Sequence, residues 1–146
     1  MQVSEFMTTS VVTVELDDSL KTVNKLFEHY GFHHLLVVEK GRLAGVVSDR
    51  DLLRALSAKI GTGAESEQDL ATLRKKVHQV MTRKAVTLPP DATIFDAMTV
   101  FRQHSFSCIP VVDDDSKILG IISWRDILGA MLVAREASRA TPEETT

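Results

Sequence analysis

Two seven-residue stretches, residues 45–51 and 120–126, share the pattern Gly-hydrophobic-hydrophobic-Ser-x-Arg-Asp. A serine followed three residues later by a carboxylate, where an apolar run meets a helical one, makes a capping box: the serine oxygen accepts a backbone N–H at N3 and the carboxylate accepts from the N-cap. The same residues suit a nucleotide. The free N–H groups and dipole of a helix start favour a phosphate, to which Ser48 and Ser123 can donate. Asp51 and Asp126 can accept two hydrogen bonds from a vicinal diol, as acidic residues do for ribose in dinucleotide-binding folds. Arg50 and Arg125 can offset phosphate charge or point to solvent. Read as caps alone, both motifs need no ligand.

Other candidate chemistry is weaker. His33 and His34, with Cys108 at the position equivalent to His34, have metal-ligating side chains, but adjacent strand residues point to opposite faces, so the pair does not close on one ion. Cys108 lies where an apolar strand begins and has no oriented histidine base. His29, His78 and His104 fall on helical stretches and read as solvated. The carboxylates at 113–115 lack the interleaved ligands and distal glutamate of an EF-hand and read as a turn. No GxxxxGK[ST] loop is present. The expectation is a protein that is not an enzyme and has neither a metal site nor a required cofactor.

Composition narrows the class. The 146 residues carry 17 Lys plus Arg against 20 Asp plus Glu, a formal net charge of -3, which argues against a nucleic-acid partner. With 44% hydrophobic and 25% charged residues the chain can bury a real core. The single cysteine excludes an intrachain disulfide and points to a reducing, cytoplasmic setting. No run approaches the roughly 18 apolar residues of a membrane span, and the N-terminus does not read as a signal peptide.

The elements that must position these residues occur twice. Met7-Thr8 and Val12-Thr13 recur as Met81-Thr82 and Val86-Thr87; after one inserted residue, Gly45 and Asp51 recur as Gly120 and Asp126. Each copy opens with a β-branched strand, residues 11–14 and 85–88. A helix follows, with Leu20, Val23, Leu26, Phe27 and Tyr30 in one copy and Ile94, Ala97, Val100 and Phe101 in the other at three-to-four spacing, and Thr93 with Asp96 forms a capping box. Apolar runs at 35–38 and 109–112, turns, and runs at 43–47 and 118–122 read as hairpins. The last helices begin near Ser48 and Ser123. The unit is β-α-β-β-α. Leu70, Leu73, Val77 and Val80 predict a connecting helix docking on the second copy; the interleaved Arg74-Lys75-Lys76 is its solvated face. Residues 7–60 form repeat 1, 61–80 the linker, 81–135 repeat 2 and 136–146 a flexible tail. Each repeat is small for an independent core. The two are therefore expected to pack through their sheets as a pseudo-twofold α/β (α+β) pair, with clefts between them.

Two β-α-β-β-α copies, each opening with Met-Thr and closing with G-h-h-S-x-x-D, resemble tandem cystathionine-beta-synthase (CBS) domains, the Bateman module, over residues 7–133. The resemblance implies a regulatory module that binds AMP, ADP, ATP or S-adenosylmethionine in clefts between the repeats. On that basis Ser48, Asp51, Ser123 and Asp126 contact ribose and phosphate. Val12, Thr13, Val86, Thr87, His34, Leu35, Cys108 and Ile109 border the adenine, largely through their backbones. It also implies a homodimer paired through the last helices. Two departures make the sites unequal: Leu36 stands where the second copy has Pro110, and Asp49 stands where it has Trp124. Asp49 adds unfavourable charge near a phosphate, which favours the Ser123–Asp126 site for a polyphosphate. The expected function is a stand-alone, cytoplasmic energy sensor signalling nucleotide occupancy to an unknown effector protein. The rival is a ligand-free interaction module.

Overall fold

The computed structural model describes residues 1–140. Two compact units emerge. The first-repeat unit, Val11–Ala85, contains β1 (Thr13–Glu15), α1 (Leu20–Tyr30), β2 (His34–Glu39), β3 (Arg42–Ser48), α2 (Asp49–Ala55) and α3 (Glu67–Ala71). In its sheet, ordered β1-β2-β3, β1 runs parallel to β2 and β2 antiparallel to β3. The second-repeat unit joins Met1–Ser10 to the chain from Val86 onward and contains α4 (Ile94–Gln103), β4 (Cys108–Val112), β5 (Ile118–Ser123) and α5 (Trp124–Ala140). Its β4 and β5 pair antiparallel. The class is mixed α/β, with two sheets and five helices among the described residues.

The elements follow from the local chemistry expected of them. Ser19 Oγ accepts from Thr22 N at 3.3 Å to start α1. Thr93 and Asp96 cap α4 reciprocally, at 3.0 and 2.8 Å. Leu20, Val23 and Phe27 turn one face of α1 into a core with Leu35, Val37 and Val47. Ile94, Ala97 and Phe101 do the same for α4 with Ile109, Val111 and Ile122. Both hairpins carry an irregularity at the same repeat position, between Val37 and Val38 and between Val111 and Val112.

Each Met-Thr pair docks on the hairpin of the opposite repeat. Thr82, opening the second copy, exchanges two backbone hydrogen bonds with Val46 on β3, at 2.9 and 3.0 Å. Thr8, opening the first, exchanges two with Ile121 on β5, at 2.8 and 2.9 Å. The motif glycines admit these approaches. A Cβ on Gly45 would meet the Thr82 carbonyl oxygen at 2.6 Å, and one on Gly120 would meet the Thr8 carbonyl oxygen at 2.7 Å. Upstream of Thr8, Val3 is 0% exposed within the second core. Its N–H donates to Ala92 O at 2.8 Å, and Ile94 N donates to Met1 O at 3.0 Å.

Four sequence expectations are corrected. The strand at 85–88 is absent; Leu88 makes only a single parallel bridge with Val111, since Pro89 and Pro90 lack the N–H groups a ladder needs. The strand expected at 11–14 lies at Thr13–Glu15. The connecting helix divides into α3 and two 3-10 turns, Thr72–Arg74 and Val77–Gln79, and packs on the first repeat. There Lys75 O accepts from Leu20 N at 2.9 Å, one of the free donors at the start of α1, and Val77 is fully buried beside Leu20 and Val23. Residues 61–85 lie in the first-repeat unit and residues 1–10 in the second. Finally, residues 136–140 of the expected tail continue α5; residues 141–146 lie outside the described residues.

Candidate functional site

In each unit, the residues singled out by sequence converge on one edge of a sheet. In the first-repeat unit β2 starts where β3 ends, so His34 pairs with Ser48 and Leu35 with Val47. Because β1 is parallel to β2, its start comes to the same edge, with Thr13 paired to Leu36. In the second-repeat unit Cys108 pairs with Ser123 and Ile109 with Ile122. Val86 and Thr87 precede the Leu88 bridge rather than standing in a strand. Leu35 and Ile109 are fully buried core residues, while Val12, Val86, Thr87, His34 and Cys108 are partly exposed and Thr13 is exposed.

Both capping boxes are closed. Asp51 N donates to Ser48 Oγ at 3.1 Å, and Ser48 N donates to Asp51 Oδ2 at 2.9 Å. Asp126 N donates to Ser123 Oγ at 3.3 Å, while Ser123 N and Oγ donate to Asp126 Oδ2 at 2.9 and 3.0 Å. The cap occupies one oxygen of each carboxylate. Oδ1 of Asp51 and of Asp126 takes no hydrogen bond among the described residues, and both side chains are half-buried. Capping and diol recognition are thus compatible on one residue. Arg50 and Arg125 are exposed and enter no ion pair among the described residues.

The neighbouring positions differ between units. One backbone clasp is common: Asp49 N donates to His33 O at 3.0 Å, and Trp124 N to Ser107 O at 3.4 Å. Only the first-repeat unit adds a side-chain clasp, His33 Nδ1 to Asp49 Oδ2 at 3.0 Å. That bond, with a smaller contribution from Arg50 N, holds the Asp49 carboxyl below the usual carboxylate range. Burial, only partly opposed by the Asp49 charge, lowers His34 below the ordinary histidine value. In the second-repeat unit Trp124 instead stacks on buried Phe101, ring centroids 4.8 Å apart, and remains 45% exposed. The His33–Asp49 contact was missed by sequence reasoning, although hairpin register signals it: if His34 faces Ser48, position 33 faces position 49.

Burial pushes the Cys108 thiol up to about 12, so it carries almost no thiolate at neutral pH. Iodoacetamide at neutral pH is expected to leave the native protein unlabelled and to modify one site after unfolding in urea, as read by intact mass. Rapid labelling of folded protein would contradict this environment. Among the described residues no group of three or more His, Cys, Asp or Glu side chains is arranged to hold a metal, and no helix is long and apolar enough to cross a membrane.

The CBS domain family model matches residues 3–58 and 77–133. An uncharacterised protein of Methanocaldococcus jannaschii is 35% identical over 134 residues, covering 90% of this chain and 44% of that protein. A homoserine O-acetyltransferase of Methanococcoides burtonii is 32% identical over 126 residues, covering 86% of this chain and 23% of that protein. The chain therefore spans less than half the length of either relative. Among solved structures, CBSX2 of Arabidopsis thaliana has a TM-score of 0.77 at 26% identity, with 92% of this chain and 96% of that chain covered. Its complex with AMP has a TM-score of 0.76 at 26% identity, covering 92% and 98%. The CBS domain pair of protein MJ0100, in complex with 5'-methylthioadenosine and S-adenosyl-L-methionine, shares the fold with a TM-score of 0.72 at 21% identity, covering 92% and 98%.

Proposed function

We propose, for a chain that belongs to the CBS domain family, a regulatory role in which the Ser48–Asp51 and Ser123–Asp126 motifs hold adenosine nucleotides. The observation that carries this reading is the pair of half-buried aspartates, each with one oxygen committed to a cap and the other unengaged among the described residues. AMP in the related CBSX2 structure supports the ligand class. Asp51 and Asp126 bind the ribose hydroxyls; Ser48 and Ser123 lie beside the phosphate. Val12, Thr13, Val86, Thr87, His34, Leu35, Cys108 and Ile109 border the adenine, and Arg50 and Arg125 offset phosphate charge from the surface.

The two motifs have different ligand preferences. Ser123 starts a 17-residue helix with no acid at the next position, whereas Ser48 starts a 7-residue helix whose first residue is Asp49. The longer helix presents the fuller dipole, so a polyphosphate prefers the Ser123–Asp126 motif. The module performs no chemistry of its own, acts in the cytoplasm, and passes occupancy to an effector protein by favouring one conformation over another. Leu128, Leu132 and Val133 leave an apolar stripe on α5, 62%, 62% and 50% exposed, which supports pairing with a second copy.

The test is thermal unfolding of nucleotide-free protein with AMP, ADP, ATP, S-adenosylmethionine and GTP. Ligand at about a hundred times its Kd adds about 2.7 kcal/mol, a midpoint shift of roughly 5 to 10 °C. Asp126→Asn is expected to weaken the adenosine ligand roughly tenfold to a hundredfold while changing unliganded stability modestly. The closed caps need no ligand, which favours the rival reading of an interaction module. An absent shift at millimolar nucleotide would establish that rival instead.

A further inference from the structure

Five of the 17 Lys and Arg residues fall between positions 74 and 84, a stretch without Asp or Glu in a chain that carries 20 acidic residues elsewhere. Arg74, Lys75, Lys76, Arg83 and Lys84 are all exposed, and none enters an ion pair among the described residues. Their backbone is fixed to the first-repeat unit. Lys75 O accepts from Leu20 N at 2.9 Å, Val77 N donates to Asp18 O at 2.9 Å and His78 N to Leu16 O at 3.1 Å. Val77 and Met81 are buried in the core, and Thr82 is tied twice to Val46. Two of the five side chains are held as well: Lys75 Nζ donates to Ala55 O and Arg83 Nη2 to His78 O, each at 3.1 Å. We propose that residues 74–84 are a docking strip for an acidic segment of the effector protein. That the partner is an effector rests on the regulatory reading above; the affinity of the strip for carboxylates does not.

Clustered cations without counter-ions raise a local positive potential that steers an anionic partner, and cations carried on an ordered backbone lose little freedom when it arrives. The one carboxylate paired to the segment is Asp17, whose Oδ1 lies 3.9 Å from His78 Nε2, and it engages none of the five. The charges come as a triplet and a pair on either side of the 3-10 turn Val77–Gln79, so a partner must present acids at two places along its length. Among polyanions, nucleic acid fits poorly, because residues 74–84 contain no Phe, Tyr or Trp on which bases could stack. A lipid surface is best held where apolar side chains insert beside the basic ones. Here Val77 and Met81 are spent on the core and Val80 is half-buried, so the strip has nothing to insert. An acidic polypeptide asks only for separated ammonium and guanidinium donors, which the strip supplies.

The experiment is fluorescence anisotropy of a labelled oligoglutamate peptide titrated with the full chain, without nucleotide and at low salt. Arg74→Gln/Lys76→Gln/Lys84→Gln removes three strip charges and spares Lys75 and Arg83, whose side chains hold carbonyls. Lys21→Gln/Lys25→Gln/Arg42→Gln removes three exposed charges from the same unit outside the strip, so both variants have the same net charge. The strip variant is expected to bind the peptide about tenfold more weakly than the parent, and the control less than about twofold. Each strip substitution made singly should weaken binding about twofold, which keeps the test decisive should the triple variant unfold. Equal losses in the two triple variants would trace the binding to overall charge and overturn the strip, as would a parent that leaves the peptide unbound. Tighter binding of an oligothymidine strand, or of phosphatidylserine vesicles, than of the peptide would overturn the partner class. Peptide binding by a protein that shows no thermal shift with nucleotide would leave the strip standing and sink the nucleotide reading; the reverse result would sink the strip alone.

Discussion

Gly120→Ala is expected to lower the thermal midpoint by about 5 to 10 °C, a loss of ~2 kcal/mol of stability. The new methyl would stand 2.7 Å from the Thr8 carbonyl oxygen and 2.7 Å from Met7 Sδ. The methionine can swing aside, but the carbonyl belongs to a backbone tied to Ile121 by two hydrogen bonds, so relief requires breaking that bridge. Gly45→Ala meets the same obstruction from Thr82 at 2.6 Å and should behave alike. An internal control is Gly129→Ala, in the middle of α5 with nothing within 4 Å of its added methyl. There alanine's helix propensity should stabilise by roughly 0.5 to 1 kcal/mol. If Gly120→Ala and Gly129→Ala melt together, the close approach of residues 7–8 is wrong.

Deleting residues 1–8 should have a larger effect, because it removes a plug and an edge together. Val3 is wholly buried among Ala92, Ile94, Ala97 and Ile109, a burial worth about 2 kcal/mol. Five backbone hydrogen bonds, two at Thr8 and one each at Met1, Val3 and Ser4, contribute about 1 kcal/mol each. The shortened chain is expected to lose cooperative unfolding of the second-repeat unit, with amides of β4, β5 and α4 exchanging much faster than those of β2 and β3. Val3→Ala should reproduce part of this, at about 2 kcal/mol, without removing any hydrogen bond. Uniform protection across both units in the truncated protein would show that the segment is dispensable.

Where chemistry is local, these arrangements were legible in the sequence. Ser48 with Asp51 and Thr93 with Asp96 lie within one helical turn, and each forms the reciprocal cap its spacing implies. The apolar runs on either side of 40–42 and 113–117 become hairpins, so His34 and Cys108 were correctly expected near the strand starts. What escaped depends on distant partners. Leu70, Leu73, Val77 and Val80 keep a helical spacing, yet the carbonyl of Lys75 is taken by Leu20 N and Val77 is drawn into the first core, which a continuous helix would prevent. The β-branched run at 85–88 has the composition of a strand, but Pro89 and Pro90 after it lack the N–H groups to extend a ladder. The doubled Met-Thr signal marked a repeat, but the exchange of those segments between repeats leaves no periodic trace.

That exchange bears on the order in which the protein can mature as it leaves the ribosome. The first-repeat unit is one continuous stretch, complete once Ala85 has emerged. The second must keep Val3 and Thr8 in waiting until Ala92 and Ile121 exist, and then close a ring through everything made in between. Synthesis thus favours a molecule whose first-repeat unit is built before residues 3–8 find their place.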